Sequence, residues 1–159
     1  MRTLGQLMIS ASLLLFAGQA MGQSQDNGLI RVTSPHSVAE TADRFEDAAA
    51  ERGLRIFARF DHAKAASEFG LDLSPLVTLS FGNPRYGTPF MVDNPQAGID
   101  FPPKAVVYED SDGQVWLAYN SSEYLYHTIF VRHGLEFPEE HVAFQANVLE
   151  ALASEATRP

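Results

Sequence analysis

Two short apolar runs in the second half of the chain constrain its fold more than any other feature. Residues 104–109 and 114–119 are separated by the polar sequence Asp-Ser-Asp-Gly at residues 110–113. Apolar runs joined by such a turn are typical of two antiparallel strands. The sequence therefore predicts a β-hairpin at residues 104–119.

Three further strands are predicted before the hairpin. Residues 54–61 alternate between apolar and polar side chains, which indicates a strand with one covered face. Residues 29–33 and 76–81 are short apolar segments, and the second of them stops at the turn sequence of residues 82–84. Together with the hairpin, these segments make a sheet of about five strands.

Helices are predicted between and after these strands. Ser37 and Glu40 have the spacing of a capping box, in which both side chains accept hydrogen bonds from backbone N–H groups at the start of a helix. That helix should run from residue 38 to 52 and end at Gly53. Three further helices are predicted at about residues 62–69, 122–132 and 139–156.

The segment between residues 85 and 101 has a different character. It is rich in glycine and proline, and residues 90–92 are its only apolar run. We expect a long loop that contains a short helical turn. Loops of this length in compact domains often carry function.

The order of these elements predicts the fold class. Helices and a hairpin are mixed along the chain, which indicates an α+β fold in a single domain. We expect a mixed sheet of about five strands with helices packed on one face. No internal repeat is present.

The first 22 residues predict export. Arg2 precedes an apolar run at residues 7–17, and the small residues Ala20 and Gly22 follow it, which is the layout of a signal peptide cleaved near Gly22. A membrane anchor is the alternative, but the run has about half of the ~20 apolar residues that a spanning helix needs. We therefore expect a periplasmic or secreted protein without a membrane segment after cleavage, whose residues 23–28 form a flexible tail.

Charge and cysteine content exclude several classes of partner and site. The chain has 11 basic and 20 acidic side chains, a net charge of −9, which disfavours nucleic acid and anionic membranes as partners. It has no cysteine, so disulfides and thiolate metal sites are excluded.

Four stretches taken together resemble one known family. Ala-Ala-Ala-Glu-Arg-Gly-Leu at residues 48–54 leads to Phe-Asp-His-Ala at 60–63, and Phe-Gly-Asn-Pro at 81–84 precedes Gly-Thr-Pro-Phe-Met at 87–91. The remaining motifs are Gly-Ile-Asp-Phe-Pro at 98–102, Tyr-Glu-Asp at 108–110, Gly113, Trp116 and Tyr119-Asn120. This combination resembles the domain of unknown function 302 family.

The resemblance covers residues 32–133 and implies a small α+β domain, here placed at residues 29–135. It implies no activity, because no biochemical role is assigned to the family, and so no catalytic residues are transferred. Phe101 stands where a leucine is more usual. The helix predicted after Pro138 is expected to be an addition to the family domain, so residues 136–159 are expected to form a C-terminal helical extension.

The leading functional hypothesis is a binding or accessory domain of the cell envelope. Asn83 lies at the end of a predicted strand, where small ligands tend to bind in open sheets, and the long loop that follows contains polar and apolar groups. We expect His62, Asn83, Met91 and Asp100 to line one cleft that holds a small molecule or a protein partner. For each residue, a purely structural role is the alternative.

Two other functions remain open. An enzyme would use Asp61 or Asp100 with His62 as an acid–base pair. Adjacent residues on a strand point apart, however, so Asp61 is equally a helix cap. A structural oligomer module, such as a homodimer, would instead use an exposed part of the aromatic cluster Trp116, Tyr119, Tyr124 and Tyr126.

No metal or cofactor is predicted. The residues His62, His127, His133 and His141 lack the spacing of three or four that places two ligands on one helical face, and no His-Glu-x-x-His motif exists. The glycine-rich turn lacks the lysine and hydroxyl residue of a phosphate-binding loop, and no serine-hydrolase Gly-x-Ser-x-Gly motif is present.

Overall fold

The computed structural model describes residues 23–24 and 27–159. The predicted signal peptide and its cleavage near Gly22 lie outside the described residues. The strands are β1 (Gln23–Ser24), β2 (Leu29–Ser34), β3 (Arg55–Asp61), β4 (Leu76–Gly82), β5 (Lys104–Glu109) and β6 (Val115–Asn120). The α-helices are α1 (Val38–Glu51), α2 (His62–Ser67), α3 (Pro84–Asp93), α4 (Ser122–Tyr124) and α5 (Glu139–Thr157). Of the helices in this part of the chain, none is long and apolar enough to span a lipid bilayer.

The described strands form one sheet in the order β1-β2-β6-β5-β4-β3. The predicted hairpin is formed by β5 and β6, in which Ala105 pairs with Tyr119 and Glu109 with Val115. The chain is a single α+β domain, as predicted. Its sheet is antiparallel at every described pairing and not mixed. The reason is that α1 carries the chain from β2 to the far edge strand β3, and not into a neighbouring parallel position.

Strand β1 adds a sixth strand at the edge of the sheet. Gln23 and Ser24 pair with Arg31 and Ile30 of β2. These two residues fall in the segment 23–28 for which the sequence indicated a flexible tail. The tail has too few residues of its own for strand periodicity to be visible in the sequence.

Helices α1 and α5 pack together on one face of the sheet. Helix α1 begins where the Ser37 hydroxyl accepts a hydrogen bond from the N–H of Glu40, as the capping box predicted. Phe45 of α1 is fully buried and packs edge-on against Phe81 of β4, with ring centroids 5.0 Å apart. Other core residues come from strands and helices alike: Val77, Leu79, Val107, Leu117, Leu152 and Ala156.

The last helix, α5, belongs to this core. Leu152 and Ala156 are fully buried, and Arg52 after α1 forms an ion pair with Glu155, with Nη2 and Oε1 2.5 Å apart. Residues 136–159 are therefore part of the domain and not an extension beyond residue 135. The apolar face of α5 covers core surface that α1 alone leaves open.

The segment expected to be a long loop is mainly helical. Helix α3 spans ten residues and is followed by a 3₁₀ helix at Pro95–Ile99. Asn83 caps α3 by accepting a hydrogen bond from the N–H of Arg85, and Pro84 occupies the first turn, where no N–H is needed. Pro89 lies inside the helix. The glycine and proline content that suggested a loop is thus compatible with a helix.

The helix predicted at residues 122–132 is irregular. After α4 the chain forms a π-helical segment at Leu125–Ile129, where the N–H of Phe130 bonds to the carbonyl of Leu125 over 2.8 Å, and then a 3₁₀ turn at Val131–His133. Gly134 ends the turn in the left-handed conformation, with φ +72°. Such π segments occur frequently at functional sites.

Candidate functional site

A cavity of about 380 Å³ lies between the end of β4, helix α3, the π segment and α5. This volume falls within the range of small-molecule sites. Its walls are mainly apolar, and the lining includes Phe81, Phe90, Met91, Phe101, Phe130 and Leu149. We call this cavity the aromatic pocket.

Stacked phenylalanine rings form one wall of the aromatic pocket. Phe101 stacks on Phe130 with ring centroids 4.4 Å apart and planes 4° apart, and Phe90 stacks on Phe101 at 6.2 Å. Tyr126 packs edge-on against Phe130 at 5.1 Å. Tyr126 and Phe130 are four positions apart, the spacing that places helical residues on one face, and both line the pocket. The ring faces offer flat apolar surface to a ligand.

Three polar side chains lie together on the α5 side of the pocket, in addition to Asn83 and Thr88 on the α3 side. The Tyr126 hydroxyl and His141 Nε2 are 3.2 Å apart, and Gln145 lies one turn further along α5. Burial raises the pKa of Tyr126 to about 12, so its phenol stays neutral at physiological pH and can still donate a hydrogen bond. These groups can orient a ligand but carry little charge.

The mouth of the pocket lies at β3 and the start of α3, where its lining is most exposed. Phe57 is 42% and Tyr86 63% exposed. The register of β3 against β4 shifts between Ile56 and Ala58, so Phe57 is the extra residue of a bulge. A Cβ built on Gly82 would lie 3.9 Å from the Phe57 ring, which shows how closely the bulge brings that ring to the end of β4.

Two of the four predicted site residues line the aromatic pocket. They are Asn83 and Met91. The Asn83 side chain also has structural bonds: its Oδ1 caps α3, and its Nδ2 donates to the carbonyl of Gly53 over 3.2 Å. Asn83 therefore positions α3 at the mouth of the pocket, and Met91 contributes an apolar wall.

His62 lies elsewhere. Its Nε2 is 3.0 Å from Thr78 Oγ1, and it lines a shallow depression beside Phe60 and Lys64. Because β3 and β4 are antiparallel, His62 follows the end of β3 opposite to the one that pairs with Gly82. Six residues of strand, roughly 20 Å, separate the two ends. The expected single cleft with Asn83 is therefore not formed.

The acid–base pairs considered for an enzyme are also not formed. Asp61 Oδ1 accepts the N–H of Lys64 over 2.9 Å and so caps α2. Asp100 pairs with Arg132 and His133, not with His62. No group of three or more potential metal ligands comes together among residues 23–24 and 27–159.

Asp100 ties the segment after α3 to the segment after the π helix. Its carboxylate accepts hydrogen bonds from Arg132 Nη2 at 2.7 Å and from His133 Nε2, and Asn94 Nδ2 donates to the carbonyl of His133. Burial alone would raise the pKa of Asp100, but the bonds from His133 and Arg132 outweigh it and hold the pKa below its usual value. We call this group of four residues the Asp100 clamp. It holds α3 over the aromatic pocket.

The sequence reasoning missed most of the aromatic lining. Phe57 was predicted only as part of the strand at residues 54–61, Tyr126 only as part of the aromatic cluster of an oligomer module, and Phe130 lies in the helix predicted at residues 122–132. The signal for Phe57 was present, because it is the apolar residue among Arg55, Arg59 and Asp61 on the polar face of the alternating strand. Tyr126 and Phe130 also had a signal, because a spacing of four in the predicted helix places both rings on one face.

A family model and a solved structure give a consistent fold for this chain. A family model described as "Domain of unknown function DUF302" matches residues 30–154, a range that includes most of α5. A crystal structure of an uncharacterized conserved DUF302 protein from Bacillus stearothermophilus has a TM-score of 0.66 at 22% identity. The match covers 82% of this chain and 98% of that one, and it shows a shared fold.

Curated relatives carry a different name. A protein named fluoride-specific ion channel FluC 1 from Brucella suis is 42% identical over 123 residues, which is 77% of this chain and 46% of that protein. The protein of the same name from Brucella abortus is also 42% identical, over 44% of its length. The chain thus spans less than half the length of these relatives.

Proposed function

The chain belongs to the DUF302 family of domains of unknown function, and from that premise we propose that it is a small-ligand-binding domain whose site is the aromatic pocket. The observation that carries this proposal is the cavity itself, about 380 Å³ with walls of stacked rings and a few polar groups. Sites for small organic molecules have this size and lining. A ligand that covers the rings removes apolar surface from water, which favours binding.

The lining of the aromatic pocket does not suit fluoride, the ion in the name of the Brucella relatives. Fluoride is a small, charged ion, and burying an ion is costly unless opposite charges or several hydrogen-bond donors replace its water. The wall of the pocket consists mainly of phenylalanine rings and aliphatic groups. A carbon-rich molecule fits it better.

We also propose a cellular location, the periplasm or the outside of the cell. The signal-peptide pattern of residues 1–22 supports a role in the cell envelope or outside the cell. We expect the protein recovered from a periplasmic or extracellular fraction to have the mass of a chain that begins at about residue 23. Recovery of the full-length chain in the membrane fraction would contradict export with cleavage.

The binding proposal is tested with N-phenylnaphthylamine, a neutral dye whose fluorescence rises in apolar surroundings. A Cβ built on Gly87 meets only the Phe101 ring, at 3.7 Å, and Gly87 lines the pocket, so Gly87→Leu places an isobutyl group in the cavity without a backbone clash. Ala50→Leu places a leucine side chain on the exposed face of α1 and is the control.

We expect the wild-type chain and Ala50→Leu to bind the dye saturably with similar Kd, and Gly87→Leu to bind it at least tenfold more weakly. The reason is that the added side chain occupies the volume that the dye needs. Circular dichroism and thermal unfolding check that both variants fold. Equal binding by wild type and Gly87→Leu would place the dye elsewhere and contradict the proposal.

A further inference from the structure

Three basic residues are neighbours of residues that line the mouth of the aromatic pocket. The Arg55 guanidinium lies 5.5 Å from the centroid of the Phe57 ring, which lines the pocket. Arg85 lies between two lining residues of α3 and is exposed. Lys104 follows the lining residues 102–103, and its Nζ is 3.4 Å from the carbonyl of Pro102. We call Arg55, Arg85 and Lys104 the basic rim.

The basic rim is not neutralised within the described part of the chain. Arg52, Arg59 and Arg132 each have a carboxylate oxygen within 4.0 Å, whereas the three rim residues have none. The chain as a whole has a net charge of −9. A local group of unpaired cations on an acidic protein, next to an apolar cavity, is therefore a feature that intramolecular ion pairing does not explain.

The two sides of the pocket differ in polarity. The exposed lining residues lie at β3 and the start of α3, next to the basic rim, while Phe81, Phe130 and Leu149 on the inner walls are buried. A charge placed at the inner walls would lose its water without meeting a cation, which is costly. A charge placed at the rim keeps contact with water and gains three cations.

We infer that the ligand is an amphiphile with an apolar chain inside the aromatic pocket and a carboxylate at the basic rim. This inference rests on the proposed binding function. A volume of about 380 Å³ lies near the lower end of the range of small-molecule sites, which suits an apolar chain of about ten carbons whose polar end stays at the mouth. Decanoate has this size. Its chain covers the stacked rings, and its carboxylate binds the guanidinium and ammonium groups of the rim.

The test compares decanoate with decanol, which has the same chain without the charge. Decanoate is titrated below its micelle concentration and decanol below its solubility limit, each against the protein with bound N-phenylnaphthylamine. The variant Arg55→Gln/Arg85→Gln/Lys104→Gln removes the charge of the rim. Lys64→Gln removes an exposed positive charge on α2, outside the pocket, and is the control.

We expect decanoate to bind the triple variant about five- to tenfold more weakly than the wild type, as three partly exposed ion pairs imply. Decanol should bind both proteins within twofold, and Lys64→Gln should behave as the wild type does. Added salt should weaken decanoate binding only, because it screens exposed charges. From octanoate to decanoate, affinity should rise by up to fourfold per methylene.

The outcomes separate the two proposals. If decanoate binds the triple variant as tightly as the wild type while decanol and the dye still bind, the charged end is wrong and the binding function stands. If neither the dye nor decanol binds the wild-type chain, the binding function itself fails. If decanoate fails to displace the dye but the protein sediments with phosphatidylglycerol vesicles through the rim, a membrane surface and not a free amphiphile is the partner, and the inference is overturned.

Discussion

Replacing Asp100 by asparagine tests whether the Asp100 clamp stabilises the cover of the pocket. Asparagine keeps the shape of the side chain but removes the charge that Arg132 and His133 neutralise. Hydrogen bonds to charged groups contribute about 1.5–3 kcal/mol when partly buried, and the bond to the half-exposed Arg132 belongs to the weaker range of about 0.2–1 kcal/mol. We expect a loss of about 1.5–3 kcal/mol in the free energy of unfolding.

The effect should depend on pH with a definite sign. The pKa of Asp100 is lower in the folded chain than its usual value, so its stabilising contribution is present above the unfolded pKa of about 3.9 and is lost as pH falls through the folded pKa. The difference between wild type and Asp100→Asn should therefore be full at neutral pH and shrink below about pH 4.

Urea unfolding of both proteins at several pH values measures this difference. Asp93→Asn is the control, because it makes the same charge change at the exposed end of α3, where no ion pair is present among the described residues. Equal stability of Asp100→Asn and wild type at neutral pH would refute the clamp. Equal stability together with lost dye binding would instead identify Asp100 as a ligand contact.

Two further predictions concern the core and the pocket wall. Leu152→Ala should lower the free energy of unfolding by about 2–5 kcal/mol in urea titrations, because this α5 side chain is fully buried, while Phe144→Ala on the exposed face of α5 should change it by less than about 0.5 kcal/mol. Equal effects would place α5 outside the core. Burial also raises the pKa of Tyr126 to about 12, so the contribution of its neutral phenol to stability is full below the unfolded pKa of about 10. The free energy of unfolding should therefore fall as the pH rises from about 10 to about 12. Tyr126→Phe should remove part of that fall, the rest coming from Tyr119, and an unchanged alkaline profile would contradict the burial of Tyr126.

The sequence predicts those parts of the fold that local chemistry determines. The hairpin follows from its apolar runs and the turn of residues 110–113, and the start of α1 follows from Ser37, whose hydroxyl accepts the N–H of Glu40. Each of these signals acts over a few residues. For that reason, the local structures that they predict form in the folded chain independently of distant contacts.

Features that depend on packing between distant segments were not predictable in this way. Helix α3 contains Pro89 and yet is helical, because Phe90 stacks on Phe101 and packs edge-on against Phe137 at 4.8 Å, contacts that no local pattern reveals. The register shift at Phe57 is set by the pairing of β3 with β4. The aromatic pocket is built from both features.

The predicted site shows the same division. Asn83 and Met91 line the pocket because they are close in sequence to the end of β4. His62 also follows a strand end, but because β3 and β4 are antiparallel this end lies next to the start of β4, at the opposite end of the strand pair from Asn83. Strand direction, which the sequence did not specify, decides which polar residues meet.

The most direct test of the central claim is native mass spectrometry of the chain with N-phenylnaphthylamine. One spectrum reports both the binding and its stoichiometry. We predict one dye molecule on the wild-type chain and on Ala50→Leu, and none on Gly87→Leu at the same concentrations, because the leucine side chain takes up part of the volume of the aromatic pocket that the dye needs. Several dye molecules per chain, or one on all three proteins, would show that the aromatic pocket is not the binding site.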